Sequence, residues 1–135
     1  DDYAHHPTEV KATLTAAKQG WNRRVVAVFQ PHLFTRTRDF ASDFGKAFLN
    51  SDVVFVTDVY PSREKPIEGI TGKLVSDAAR SFGHKNVFYI KDKEDLPAKV
   101  SEKLEPGDIV ITIGAGDITR YNKEIMETFS SRATE

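Results

Sequence analysis

The sequence predicts one α/β domain: an open, mostly parallel sheet with helices on both faces. Three observations carry this prediction. Short apolar runs recur at four places along the chain. Segments with helical spacing fill every gap between them. The runs are near-continuous rather than alternating, the pattern of strands buried on both faces of a parallel sheet.

Each element has its own justification. A first helix is expected from Pro7 to Gly20, because proline suits the first helical turn and glycine the exit. Val10, Leu14 and Ala17 recur at spacings that place them on one helical face. Residues 24–29 form the first apolar run, Arg-Val-Val-Ala-Val-Phe. A second helix follows over residues 36–50, with Phe40, Phe44, Ala47 and Phe48 sharing a face. Val53–Thr57 repeats the strand pattern, and a helix over residues 71–82 is closed by Gly83. Val87–Ile90 is the third strand, with a helix over residues 96–104 that ends before Pro106 and Gly107. Ile109–Ile113 is the fourth strand. A last helix follows Ile118 and is expected to fray into residues 130–135. The alternation is Rossmann-like, and such sheets bind ligands at the carboxyl ends of their strands.

Composition removes several function classes. A chain of 135 residues is the size of one compact domain. Nineteen basic side chains face twenty acidic ones, for a net charge of -1, so there is no electrostatic footprint for nucleic acid or an anionic membrane. The absence of cysteine excludes disulfides, thiolate nucleophiles and thiolate metal sites. No apolar run approaches the ~20 residues of a membrane span, and no signal peptide opens the chain. The chain starts without methionine on a dense polar motif, as expected for a domain cut from a longer, cytoplasmic protein.

Four polar motifs fall near predicted strand ends. Residues 1–9 read Asp-Asp-Tyr-Ala-His-His-Pro-Thr-Glu, a dense set of donors and acceptors before the first helix. Taken alone, the motif equally fits a helix cap at His6 or Thr8 beside solvated carboxylates. Adjacent histidines point apart on a helix, so this spacing does not suit a metal pair. Residues 29–39 read Phe-Gln-Pro-His-Leu-Phe-Thr-Arg-Thr-Arg-Asp. Arg36 and Arg38 sit in a first helical turn, where the helix dipole disfavours positive charge by up to ~1 kcal/mol each. A local rule broken at a strand end points to a site, and arginine can hold a carboxylate in a two-pronged fork. His32 beside it titrates near neutrality and could accept a proton. The bland alternative pairs these arginines with Asp39 or Asp43. Residues 57–64, carrying Asp58, Tyr60, Arg63 and Glu64, read more readily as a solvated loop. Residues 114–118, Gly-Ala-Gly-Asp-Ile, lack the third glycine and following strand of a dinucleotide fingerprint. No phosphate-loop motif occurs in the chain, so any such loop must lie outside it.

Taken in order, the first, second and fourth motifs resemble the C-terminal domain of the UDP-N-acetylmuramate–L-alanine ligases, within the bacterial Mur ligase family. The resemblance covers essentially the whole chain and treats residues 1–135 as that domain. It implies a three-domain parent, whose missing N-terminal domain holds the UDP-sugar and whose central domain holds the ATP phosphate loop and Mg2+. It implies that ATP phosphorylates the lactyl carboxylate of UDP-N-acetylmuramate and that the amine of L-alanine attacks the acyl phosphate. The fragment alone is expected to be inactive. By the same resemblance Asp2 holds the ATP ribose, and Tyr3 and His5 lie near the nucleotide. Arg36 faces the alanine carboxylate, His32 orients or deprotonates the incoming ammonium, and the Tyr60 loop resembles the segment that reads the amino-acid side chain in sister ligases. Leu33 departs from the family, where many members have arginine, so one carboxylate contact is missing or supplied elsewhere. The competing expectations are a murein tripeptide recycling ligase and a non-enzymatic α/β binding module.

Overall fold

The computed structural model describes residues 6–114 and 118–133. Helices α1 (Pro7–Gly20), α2 (Phe34–Ala47), α3 (Lys73–Ser81), α4 (Leu96–Lys103) and α5 (Arg120–Ala133) alternate with strands β1 (Val25–Phe29), β2 (Val53–Thr57), β3 (Val87–Ile90) and β4 (Ile109–Ile113). The strands form one sheet in the order β3-β2-β1-β4, and every pairing is parallel.

The order explains why both faces are covered. The chain steps from β1 to β2 to β3 in one direction, then returns across the sheet to β4. Right-handed crossovers place helices on opposite faces for opposite directions of travel. Helices α1, α2 and α3 accordingly pack on one face through Val10, Leu14, Phe44, Ala47, Val75 and Ala79. On the other face, α4 and α5 contribute Leu96, Val100 and Ile125. β1 serves both sides, with Val25, Ala27 and Phe29 facing one core and Val26 and Val28 the other. Phe29 anchors the first core, its ring 5.0 Å from Phe44 and 4.9 Å from Phe48. Truncating such a side chain to alanine costs about 3–5 kcal/mol.

Several helix boundaries differ from the sequence expectation, most of the ends by a residue or so and α2 by passing into a short 3-10 turn over Phe48–Asn50. Helix α2 starts two residues early, at Phe34, because a carboxylate from another loop satisfies its first N–H groups. Helix α3 starts late, at Lys73, because Gly72 is pressed against the end of β2. A Cβ at Gly72 would meet the Thr57 carbonyl oxygen at 2.1 Å. Helix α5 runs through Ala133. No glycine or proline interrupts it, and the buried Ile125 ties it to the core. Among the described residues, no helix is long and apolar enough to cross a membrane.

Candidate functional site

The four strands end level, with Phe29 beside Ile113 and Val56, and Thr57 beside Ile90. The reversal of direction lies between β1 and β4, which opens a crevice at their carboxyl ends. The two strands approach closely there. Gln30 N–H donates to the Ile113 carbonyl at 3.0 Å. A Cβ at Gly114 would meet Ile118 Cγ2 at 2.7 Å and the Gln30 carbonyl oxygen at 3.2 Å, so the first glycine of the fourth motif is sterically required.

Beyond β1 and β2 the chains stay paired a little longer. Tyr60 N–H donates to the Pro31 carbonyl at 2.8 Å, and Leu33 N–H donates to the Tyr60 carbonyl at 2.9 Å. His32 and Tyr60 thereby form a parallel bridge, and their rings stack 5.8 Å apart at 15°. Leu33 then turns the chain into α2 at φ 70°, a conformation that favours glycine, and it supplies no side-chain cap.

The missing cap comes from the β2–α3 loop. Glu64 Oε1 accepts from the N–H groups of Phe34 and Thr35, and its Oε2 accepts from the Thr35 hydroxyl at 2.6 Å. The Thr35 hydroxyl first, and the two backbone donors after it, hold the Glu64 carboxyl below the usual carboxylate range. Asp58 does the same for α3, its Oδ1 accepting from Val59 N–H at 2.9 Å and Gly72 N–H at 3.2 Å. Burial first, then the charge of Asp58, raises the Tyr89 phenol above its ordinary value.

The two arginines of the second motif divide. Arg38 is exposed and pairs with Asp39 at 3.0 Å, as the bland reading holds. Arg36 is half-buried and turns back one helical turn, its Nη1 donating to His32 Nδ1 at 3.1 Å. Among the described residues no carboxylate lies within ion-pair distance of Arg36. Beside this pair a cleft of about 250 Å³ is lined by Thr57, Asp58, Tyr60, Lys91 and Lys93, among others. Lys93 Nζ stands 6.0 Å from the ring centres of both Tyr60 and Tyr121. A larger groove of about 660 Å³ runs along α1 and the edge of β4, but no titratable side chain lines it.

The structure therefore brings His32, Arg36 and Tyr60 together. Asp2, Tyr3 and His5 lie outside the described residues, as do Ala115, Gly116 and Asp117 of the fourth motif. His6 caps α1, its Nδ1 accepting from Thr8 N–H at 3.3 Å. Sequence reasoning assigned no part to Glu64 or Lys93. Glu64 sat in a quoted loop, but its partners are thirty and twenty-nine residues away in sequence.

Fold and edge together define a parallel α/β domain with a polar cluster, His32, Arg36 and Tyr60, at the carboxyl ends of its strands. The chain belongs to the Mur ligase family, in its glutamate ligase domain, whose sequence profile matches residues 1–116. It is 56% identical over 135 residues to the UDP-N-acetylmuramate–L-alanine ligase of Cutibacterium acnes, covering 98% of this chain and 28% of that protein. It is 52% identical over 128 residues to the ligase of the same name from Salinibacter ruber, covering 94% and 27%. The crystal structure of the UDP-N-acetylmuramate–alanine ligase of Thermotoga maritima superposes at a TM-score of 0.77 and 29% identity, covering 98% of this chain and 26% of that one. The chain thus spans about a quarter of the length of the relatives it matches.

Proposed function

We propose that this chain is the amino-acid-binding C-terminal domain of an enzyme that joins L-alanine to UDP-N-acetylmuramate with ATP. The observation that carries the proposal is Arg36, a half-buried guanidinium with no carboxylate within ion-pair distance among the described residues. Such a group is suited to a carboxylate ligand, and bidentate pairing fixes the ligand's orientation as well as its affinity. The relatives' names support the choice of alanine.

In this reading the N-terminal and central domains of the parent hold the UDP-sugar and the phosphate loop. Asp2, Tyr3 and His5 reach the nucleotide from this side. Mg2+, held by residues outside this chain, would supply neutralisation of the phosphate charge. Arg36 takes the carboxylate of alanine, and His32 orients the incoming ammonium or takes its proton, which frees the nitrogen lone pair for attack on the acyl phosphate. The nitrogen–carbon bond forms, a tetrahedral intermediate collapses, and the carbon–oxygen bond to phosphate breaks. Tyr60, held beside His32 by the extended strand pairing, lines the side-chain end of the pocket. Holding the amine in line with the acyl carbon converts a bimolecular attack into a positioned one, and misplacement by ~1 Å can cost about a hundredfold.

The deciding experiment is phosphate release by the full-length protein given ATP, Mg2+, UDP-N-acetylmuramate and an amine substrate. Turnover with L-alanine is expected. Turnover only with murein tripeptide would assign the domain to the recycling ligases. No turnover with either, from a folded parent, would leave a binding module.

A further inference from the structure

We infer that Glu64 is a positioning residue for the amino-acid site: its carboxylate clasps the β2–α3 loop to the first turn of α2 and so sets where Arg36 points. The inference rests on the ligase reading for its substrate, but the clasp is independent of it. Leu33, just before α2, offers no side-chain cap, so the first donors of the helix need an outside acceptor. Glu64 Oε1 accepts from Phe34 N–H and Thr35 N–H, and Oε2 accepts from the Thr35 hydroxyl at 2.6 Å. One side chain thus joins two segments about thirty residues apart.

The backbone around these bonds departs from what a plain helix cap requires. Among the described residues, Leu33 at φ 70° and Ser62 at φ 55° are the two non-glycine residues with a left-handed backbone. One lies in each of the segments that Glu64 joins. Such conformations persist where the surroundings over-determine them, and they cluster at functional sites. Here the surroundings are a continuous run of hydrogen bonds. Tyr60 N–H donates to the Pro31 carbonyl, and Leu33 N–H donates to the Tyr60 carbonyl. Glu64 N–H closes the turn over Ser62 by donating to the Pro61 carbonyl at 2.9 Å. The side chain of Glu64 then completes the run on Phe34 and Thr35.

Arg36 is the next residue, and it is held from both sides. Before it, Thr35 is fixed by Glu64. After it, the buried Thr37 places both its N–H and its hydroxyl on the Leu33 carbonyl, at 3.1 and 2.8 Å. A guanidinium lies far from its own Cα, so a small rotation of this turn becomes a large displacement at the fork. The Glu64 oxygens are occupied by the helix start, and Glu64 is not within ion-pair distance of Arg36. Glu64 therefore orients the turn without neutralising the guanidinium. Because Tyr60 belongs to the same run of bonds, the clasp also fixes Tyr60 relative to Arg36.

The test uses the full-length protein and measures KM for alanine, ATP and UDP-N-acetylmuramate separately. Glu64→Ala is expected to raise KM for alanine about tenfold, the effect of a misplaced binding group, and to leave the other two near wild type. Glu64→Gln is expected to recover most of that loss, since its amide oxygen accepts from both N–H groups and its amide nitrogen can donate to the Thr35 hydroxyl. A glutamine variant as poor as alanine would place the effect in charge and overturn the positioning role. So would equal changes in all three KM values, which mark a general loss of structure. The double variant separates action through Arg36 from action beside it. Adding Glu64→Ala to Arg36→Ala should change KM for alanine no further, whereas independent, multiplying effects overturn the inference. Hydrogen exchange over residues 31–38 gives a readout without turnover. It should quicken in Glu64→Ala and stay near wild type in Glu64→Gln, and unchanged exchange in Glu64→Ala overturns the clasp. A wild type that does not use alanine overturns the ligase reading, and the exchange still decides whether Glu64 holds the turn.

Discussion

The turns after β1 and β2 stand side by side at one edge of the sheet, yet they use similar polar residues in opposite ways. After β2, Asp58 and Glu64 give their oxygens to backbone N–H groups at the starts of α3 and α2. That is ordinary capping chemistry, since a helix start leaves unsatisfied donors and favours negative charge. After β1, Arg36 sits where the helix dipole opposes it, on a helix whose own cap residue is a strained leucine. Its bond goes to His32, a side chain, and not to the backbone. Charged groups at strand ends read as scaffold when the backbone uses them. They read as site when they break local preference and hold one another.

The comparison can be broken from either side. On the scaffold side, Gly72→Ala forces a Cβ onto the Thr57 carbonyl, which neither strand nor helix can yield easily. It should lower stability by about 3 kcal/mol in urea unfolding, at the upper end for overpacking. On the site side, the proposed function predicts that Arg36→Ala raises KM for alanine about a hundredfold in the full-length protein, the loss of a charge-assisted fork. Its urea midpoint should stay close to wild type, because no ion pair among the described residues is removed. An Arg36→Ala variant that loses stability but not affinity would place Arg36 with the scaffold.

Glu64 joins the two turns and sharpens the contrast through pH. Its carboxyl is held below its ordinary value, so the folded state binds fewer protons than the unfolded one in that range. Its contribution to stability is complete above the unfolded value, about pH 4.3, and is lost as pH falls through the lower folded value. Urea midpoints followed across acid pH should therefore fall less steeply in Glu64→Gln than in the wild type. The smallest effect belongs to Arg38→Ala, since an exposed pair with Asp39 contributes little. Its KM for alanine should change by about twofold or less. A large change would mean that both arginines of the motif serve the ligand.

How much was legible in the sequence depended on the range of the forces involved. The strands Val53–Thr57, Val87–Ile90 and Ile109–Ile113 and the helix Pro7–Gly20 have the bounds their local patterns predict. Their signals are periodicity and end residues, which need no knowledge of the rest of the chain. The starts of α2 and α3 were misplaced because each is set by a distant group, Glu64 for one and the Thr57 carbonyl for the other. In the candidate site, His32 and Arg36 were legible because they lie four residues apart across one turn. Tyr60 was legible only as a weak loop signal, since its place beside His32 comes from a strand bridge.

By itself the sequence determined the fold class, the two-sided burial of the sheet and the motifs that mark its carboxyl edge. Apolar runs and helical spacing act locally, and each strand needs only its own residues to be buried on both faces. The tertiary structure alone decided that Arg38 stays on the surface while Arg36 grips a histidine. It also decided that a glutamate from the next loop caps the helix carrying both arginines. Those choices depend on which strand lies beside which, and hydrogen bonds between distant segments form only after the sheet has brought them within about 3 Å.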